Sequence, residues 1–302
     1  MKNFSTLLAA ALLMFDLAAQ AQSVTGKIQD PTPPGKPWKQ LEPPKDPRAD
    51  IQVEGIGWVR FTDPNEHAFS LDLPVGWKAL GGAVRRNAID ISVFLRAVSP
   101  DKTMMLMSGD PGPAFFHTTG FGPMPSDRGY VGGKDYARAY AETALPPLCS
   151  DIKFVSDAQR EDIASDRFAI AGAYNHAGEA VFSCSRFGKP AKAYFLAETF
   201  NIKARALDEP SHWGVNVLLG WIGPENELER GKKMVARVLF STQPDPRWIK
   251  AQQKKTGEAW ARIGSLAQTQ TPEWEANRVR AEAQSSVMTQ EFNTAPPGNS
   301  TP

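Results

Sequence analysis

The stretch Phe69–Trp77, FSLDLPVGW, constrains most tightly what this chain can fold into. Phe69, Leu71 and Leu73 alternate with Ser70 and Asp72, the two-residue period of a strand with one buried face. Pro74 then removes a backbone donor and fixes φ, Gly76 permits a turn, and Trp77 can cover the strand end. The strand therefore ends at a fixed corner. The segments after it are expected to pair with it or cover it.

Those segments read mostly as strands. Gly57–Thr62 is a short one before the corner, and Asp63-Pro64-Asn65 is the turn between. Leu80–Arg86 opens on Gly81-Gly82, a glycine corner, and carries Arg85 and Arg86. In Asp90–Ser99, Ile91, Val93, Leu95 and Ala97 alternate. Thr103–Ser108 is apolar throughout, as in a strand buried on both faces. Together these form an antiparallel meander. Ile152–Val155, Arg167–Tyr174, Glu179–Phe187, Ala191–Ile202 and Trp213–Ile222 supply further strands rich in β-branched and aromatic residues.

Helical spacing enters in three places. Lys134–Leu145 places Tyr136, Tyr140 and Ala144 on one stripe and is stopped by Pro146-Pro147. Pro224 opens a helix whose stripe is Leu228, Val235, Val238 and Leu239. Arg247–Gln268 and Pro272–Glu291 are helical, with Trp260, Ala267, Trp274, Ala281 and Met288 at seven-residue intervals. The alternate heptad positions are mostly polar (Gln270, Asn277, Gln284), which argues against a coiled coil and for a helix laid on the domain or a weak partner-binding helix. The fold class is thus α+β, an antiparallel sheet flanked by helices. The α+β domain spans 51–243, with a helical extension over 244–291.

The ends read differently. Residues 1–21 have the form of a signal peptide: Lys2, an apolar run Leu7–Leu17 too short to span a bilayer well, and Ala19-Gln20-Ala21 as a cleavage site. Residues 22–50 are a Pro-rich linker, expected to be extended and disordered. Residues 292–302 form a disordered polar tail. The expected location is periplasmic or secreted, with no transmembrane segment after cleavage. In such an oxidising compartment Cys149 and Cys184 are expected to form a disulfide rather than remain separate thiols. Net charge +1 gives no electrostatic argument for nucleic acid or an anionic membrane.

The pattern F-x-L-x-[LV]-P-x-G-W (Phe69, Leu71, Leu73, Pro74, Gly76, Trp77), followed by Gly81, Gly82 and Arg85 and by the Ser99–Asp110 segment, resembles the opening of the PsbP-like α/β/α fold. The chain also resembles uncharacterised exported bacterial proteins with this strand, a Tyr-rich helix and a W-x-x-x-Q motif like Trp248–Gln252. The resemblance covers roughly residues 57–290. It implies an antiparallel sheet flanked by helices, and an assembly or accessory role rather than catalysis. It transfers no metal or partner residue.

Chemistry is sparse. There is no G-x-S-x-G elbow, H-x-x-x-H, C-x-x-C, P-loop or dinucleotide fingerprint, and no catalytic residue, metal site or cofactor is assigned. His67, His117, His176 and His212 are isolated in sequence. The best candidate site is the long Gly109–Gly133 segment, where Asp110, Phe116, His117, Phe121 and Tyr130 set a few polar groups among aromatics, as a ligand pocket requires. The bland alternative is that these rings pin the loop to the sheet. Arg85 by the glycine corner is a candidate anion contact, and Trp260 and Trp274 are candidate partner contacts. The leading expectation is an exported, non-catalytic binding or accessory module of the bacterial cell envelope, monomeric, its partner an envelope protein or a small ligand. Two alternatives stay open: a hydrolase-like enzyme using loop 109–133, and a partner-docking protein acting through the C-terminal helices.

Overall fold

The computed structural model describes residues 51–85, 91–111, 115–118, 129–164, 173–202, 211–261 and 272–294; for 115–118, 173, 202, 211–212, 253, 255–261 and 272–275 it describes the backbone alone. The leader, the Pro-rich linker and most of the C-terminal tail lie outside these residues, as do Arg86, Phe121 and most of the Arg167–Tyr174 segment.

The fold is α+β, with every strand pairing antiparallel. An eight-stranded sheet has the order β3 (Lys78–Arg85), β4 (Ile91–Val98), β5 (Met105–Gly109), β10 (Ser211–Pro224), β9 (Lys189–Ile202), β8 (Ala173–Arg186) and β7 (Ser150–Gln159). A short strand β6 (Phe115–Thr118) joins β10 beyond the end of β5. A separate three-stranded sheet has the order β1 (Trp58–Thr62), β2 (Phe69–Pro74), β11 (Gln243–Pro244).

The FSLDLPVGW strand is therefore β2, the centre of the small sheet rather than the organiser of the large one. The local reading of the strand itself holds. Phe69, Leu71 and Leu73 are buried, and Gly76 takes the left-handed φ of +82° that turns the chain. That turn carries the chain into the second sheet, so the expected single meander is split. Gly81-Gly82 is not a corner either. Both residues lie within β3, at φ +143° and +151°. A Cβ on Gly81 would stand 2.1 Å from the Phe94 carbonyl oxygen, and one on Gly82 2.3 Å from Asp63 Oδ1. Glycine here lets neighbouring groups press against the strand.

Two apolar layers cover the large sheet. On one side, Leu95, Leu106, Tyr194, Leu196, Leu219 and Trp221 meet the small sheet and helix α2 (Leu228–Ser241) through Met234, Val235 and Val238. A 3-10 turn, Glu225–Glu227, precedes α2, so Pro224 begins that turn rather than the helix proper. On the other side, Met105, Phe182, Phe195 and Ile222 meet α1 (Gly133–Ala144) and the C-terminal helix α4 (Pro272–Asn293). The residues of α1 that seat it are Ala137 and Ala141, both fully buried, so Tyr136 and Tyr140 are left to line its flank. Helix α4 lies against β3 and β4 and buries Ala281, Met288 and Phe292. Its seven-residue stripe thus packs on its own domain at Ala281 and Met288. Helix α3 (Pro246–Ala261) starts at Asp245, whose Oδ1 accepts from the backbone N–H groups of Arg247 at 2.7 Å and Trp248 at 3.2 Å.

Cys149 and Cys184 are free thiols here, close together and not bridged, against the expected disulfide. The register supplies a reason. Ser150 pairs with Ser185, so Cys149 stands opposite Arg186 and diagonal to Cys184. Diagonal neighbours start about 7–8 Å apart, wider than the usual disulfide Cα separation.

Candidate functional site

The expected featureless loop after Gly109 contains β6, which pairs Phe115–Thr118 with Ser211–Gly214. This places Phe116 opposite Trp213 and His117 opposite His212, a juxtaposition of two histidines that their spacing in the chain concealed. Asp110 and Tyr130 come to the same end of the sheet.

Three other elements complete the arrangement. Arg96 projects from β4 toward the α1 side, alternating with the core residues Leu95 and Ala97. Its Nη1 donates to the carbonyls of Leu95 and Gly109, each at 2.9 Å, and its Nη2 donates to the Tyr140 hydroxyl at 3.2 Å. Tyr140 in turn donates to Asp110 Oδ2 at 2.8 Å. Tyr136 stacks on Tyr140, centroids 6.4 Å apart at 11°, and meets Trp213 edge-on at 6.2 Å. Tyr130 packs edge-on against Trp213 at 5.8 Å and His176 at 5.7 Å, with its hydroxyl 3.3 Å from Thr199 Oγ1. An Arg–Tyr–Asp relay thus ends a wall of aromatic rings running from Tyr140 to His176.

In this geometry Tyr140 is a fixed hydrogen-bond donor. Burial pushes the Tyr140 phenol well above its ordinary value; Asp110 adds to the shift and Arg96 opposes it. A phenol held protonated serves as a donor, not a base. Burial also raises Tyr130, partly offset by its bond to Thr199. Rings with a few fixed polar groups suit a ligand that stacks and is oriented by hydrogen bonds. Among the described residues, no group of three or more His, Cys, Asp or Glu is gathered to hold a metal ion, and no helix is long and apolar enough to cross a membrane.

Arg85 does not join this site. It lies on β3, separated from β10 by β4 and β5, and its Nε and Nη2 clamp the two Glu66 oxygens at 2.6 Å each. Phe121 and the side chains of Phe116, His117, Trp260 and Trp274 lie outside the described residues. Arg96, Tyr136, Tyr140 and Trp213 were missed as site residues. An arginine in the middle of the apolar run ISVFLRAVS was the available signal, since a guanidinium buried beside a strand needs partners.

A second group stands out on the opposite face. Glu198 on β9 is 1% exposed, and its Oε1 has no hydrogen-bond partner. It sits opposite Val217, where β10 bulges between Val215 and Val217, and Asn216 in that bulge bonds its carboxyl. Burial pushes Glu198 up to about 7, with the Asn216 bond pulling the other way. The folded state therefore holds this proton more tightly than the unfolded chain. Its contribution to stability is full below the ordinary value of 4.5 and is lost as pH rises through about 7. Glu198→Gln is expected to abolish that decline, a gain of about 2–3 kcal/mol near pH 8 and little change near pH 4. Urea unfolding of both proteins across that range checks it, and parallel curves would show that Glu198 is not the group responsible.

Compared with known proteins, the chain matches no protein-family model and no curated protein.

Proposed function

We propose that this chain is an exported, non-catalytic binding or accessory module of the bacterial cell envelope, PsbP-like in architecture, and that it takes its ligand at the Arg96–Tyr140–Asp110 end of the large sheet. The observation that carries the reading is the stacked Tyr136–Tyr140 pair ending in a fixed donor–acceptor relay. Export rests on the leader-like first 21 residues and gives a periplasmic or secreted location, where oxidation of Cys149 and Cys184 to a disulfide is favoured. The ligand class fitting the wall is an aromatic or other flat group bearing hydrogen-bonding substituents, free or displayed by an envelope partner.

The test is ligand-observed NMR of residues 22–302 against a library of small aromatic and saccharide fragments. Fragments bound by the native protein are expected to lose about tenfold or more in affinity in Tyr140→Phe and Asp110→Asn, because a buried polar group loses its partner. Equal binding by all three proteins would refute the site. Turnover of an ester, amide or glycoside substrate that disappears in Asp110→Ala or His117→Ala would overturn the non-catalytic reading in favour of a hydrolase.

A further inference from the structure

At the far end of α1 the chain turns through Pro146-Pro147 into β7, and the last turn of α4 comes to rest on that corner. Asn293 Nδ2 donates to the Pro147 carbonyl at 2.6 Å. Glu291 is paired with Lys78 at 3.0 Å and Lys102 at 3.4 Å. The deepest contact is with Arg186 on β8. Its Nη2 donates to the Phe292 carbonyl and its Nη1 to the Lys102 carbonyl at 3.1 Å, while its guanidinium stands 3.4 Å from the centre of the Phe292 ring. These donors of a buried arginine go to carbonyls rather than to a carboxylate.

The two thiols lie beside this seat. The Cys149 thiol is hydrogen-bonded to the Cys184 sulfur, and both pack into the cluster that holds Met288 and Phe292. Cys184 is buried, whereas Cys149, two residues beyond Pro147, is only half-buried. The Cys149 bond, with help from Arg186 and Lys192, holds Cys184 below the ordinary thiol value against the effect of burial. That electropositive setting favours the Cys184 thiolate, while the shared bond and burial hold the Cys149 thiol well above its ordinary value, so Cys149 carries the proton of the pair. In return, sulfur charge supports Arg186, which burial otherwise pushes down to about 10.

We propose that Cys149 and Cys184 form a reversible thiol–disulfide couple that sets how firmly the end of α4 is held, with Arg186 as the link. That the couple works as an oxidised device in its own compartment rests on the export reading; the chemistry does not. An external disulfide RSSR is attacked at the more accessible position: Cys149 passes its proton to the Cys184 thiolate along their hydrogen bond, Cys149 sulfur bonds to one SR group, and the departing RS⁻ takes that proton from Cys184 and leaves as RSH. Cys184 thiolate then attacks Cys149 sulfur, the Cys149–SR bond breaks, and RS⁻ departs. Two protein thiols are oxidised and one external disulfide is reduced to two thiols. Closing the bond draws the Pro147–Cys149 corner from its diagonal position toward β8. It also leaves no sulfur able to carry charge beside Arg186. Both changes weaken the seat of Phe292 and Asn293.

The experiment equilibrates the folded protein, residues 22–302, with excess glutathione disulfide and with excess dithiothreitol. It reads intact mass and amide hydrogen exchange over 288–293. Oxidation is expected to remove two hydrogens without leaving an adduct and to speed exchange there about tenfold, while the centre of β9 stays protected. Cys184→Ser should trap glutathione on Cys149 as a stable adduct, and Cys149→Ser should take up little. Arg186→Lys should still form the bridge, but exchange over 288–293 should no longer respond to it. Two free thiols in excess oxidant would overturn the couple, and a bridge with unchanged or slower exchange would overturn the link to α4. Retention of the chain in the cytoplasm would refute export alone and leave both measurements standing.

Discussion

Asp63→Ala is expected to lower the unfolding free energy by about 4 kcal/mol. Asp63 is wholly buried, and its carboxylate is used as a hub for backbone donors. Oδ1 accepts from Asn65 N at 2.9 Å and Ala83 N at 3.1 Å; Oδ2 accepts from Glu66 N at 3.2 Å and Ala68 N at 3.0 Å. Three of these bonds close the turn between β1 and β2. The fourth reaches β3 and so ties the small sheet to the large one. Bonds to an ionised acceptor are the strong class, and alanine would leave four N–H groups to find water in a packed interior. Asp63→Asn should recover only part of the loss, since its amide nitrogen cannot accept. Denaturant unfolding of the three proteins checks the order, and an alanine variant within about 1 kcal/mol of the native protein would refute the hub.

The second large effect is expected at Asp72, the polar residue of β2 between the buried Leu71 and Leu73. Its Oδ2 accepts from Arg237 Nε at 2.9 Å and Nη2 at 2.5 Å, and its Oδ1 from Arg60 Nη1 at 3.0 Å. Its backbone N–H donates to Ser241 Oγ at 2.9 Å, so the strand is fixed to the end of α2 by side chain and main chain together. Arg237 is about as buried as its partner, whereas Arg60 is more exposed and counts for less. Asp72→Asn would leave Arg237 inside the fold without its counter-charge, at a cost of about 3 kcal/mol. Arg237→Met, which removes the charge and keeps the stem, should cost less than Asp72→Asn. The reverse order in thermal or urea unfolding would show that the carboxylate, not the guanidinium, is the costly group to strand.

The Asp72 contacts, and the bond from Asp63 to Ala83, join residues that are not neighbours in the chain, and this limited what the sequence could disclose. The strand Phe69–Pro74 was legible because alternation is local, and so was the turn at Gly76. Its membership of a second sheet was not legible, because pairing with Gln243–Pro244 spans about half the chain. Gly81-Gly82 looked like a corner because two glycines give no direction. Only Phe94 pressing on one side and Asp63 on the other shows why a strand needs them.

The candidate site divides the same way. Asp110 and Tyr130 were visible as polar and aromatic residues in an aperiodic stretch. Tyr140, the group that joins Asp110 to Arg96, read only as one position on a helical stripe. Whether a helix rotates its tyrosines or its alanines onto the sheet is settled by close packing. Here Gly133 allows α1 to approach so tightly that a Cβ would lie 2.3 Å from the His176 carbonyl. Ala137 and Ala141 then fit beneath the helix, and the tyrosines are displaced to its flank.

By itself, then, the sequence determined the α+β class and most strand and helix positions. These depend on periodicity and on the stereochemistry of proline and glycine, which act over a few residues. The tertiary structure alone decided the split into two sheets, the Arg96–Tyr140–Asp110 relay, the buried Glu198, and the meeting of two thiols with Arg186 and the end of α4. Each of those depends on which distant side chains share a dry interior, where an unpaired charge or donor is costly and partners must be found across the fold.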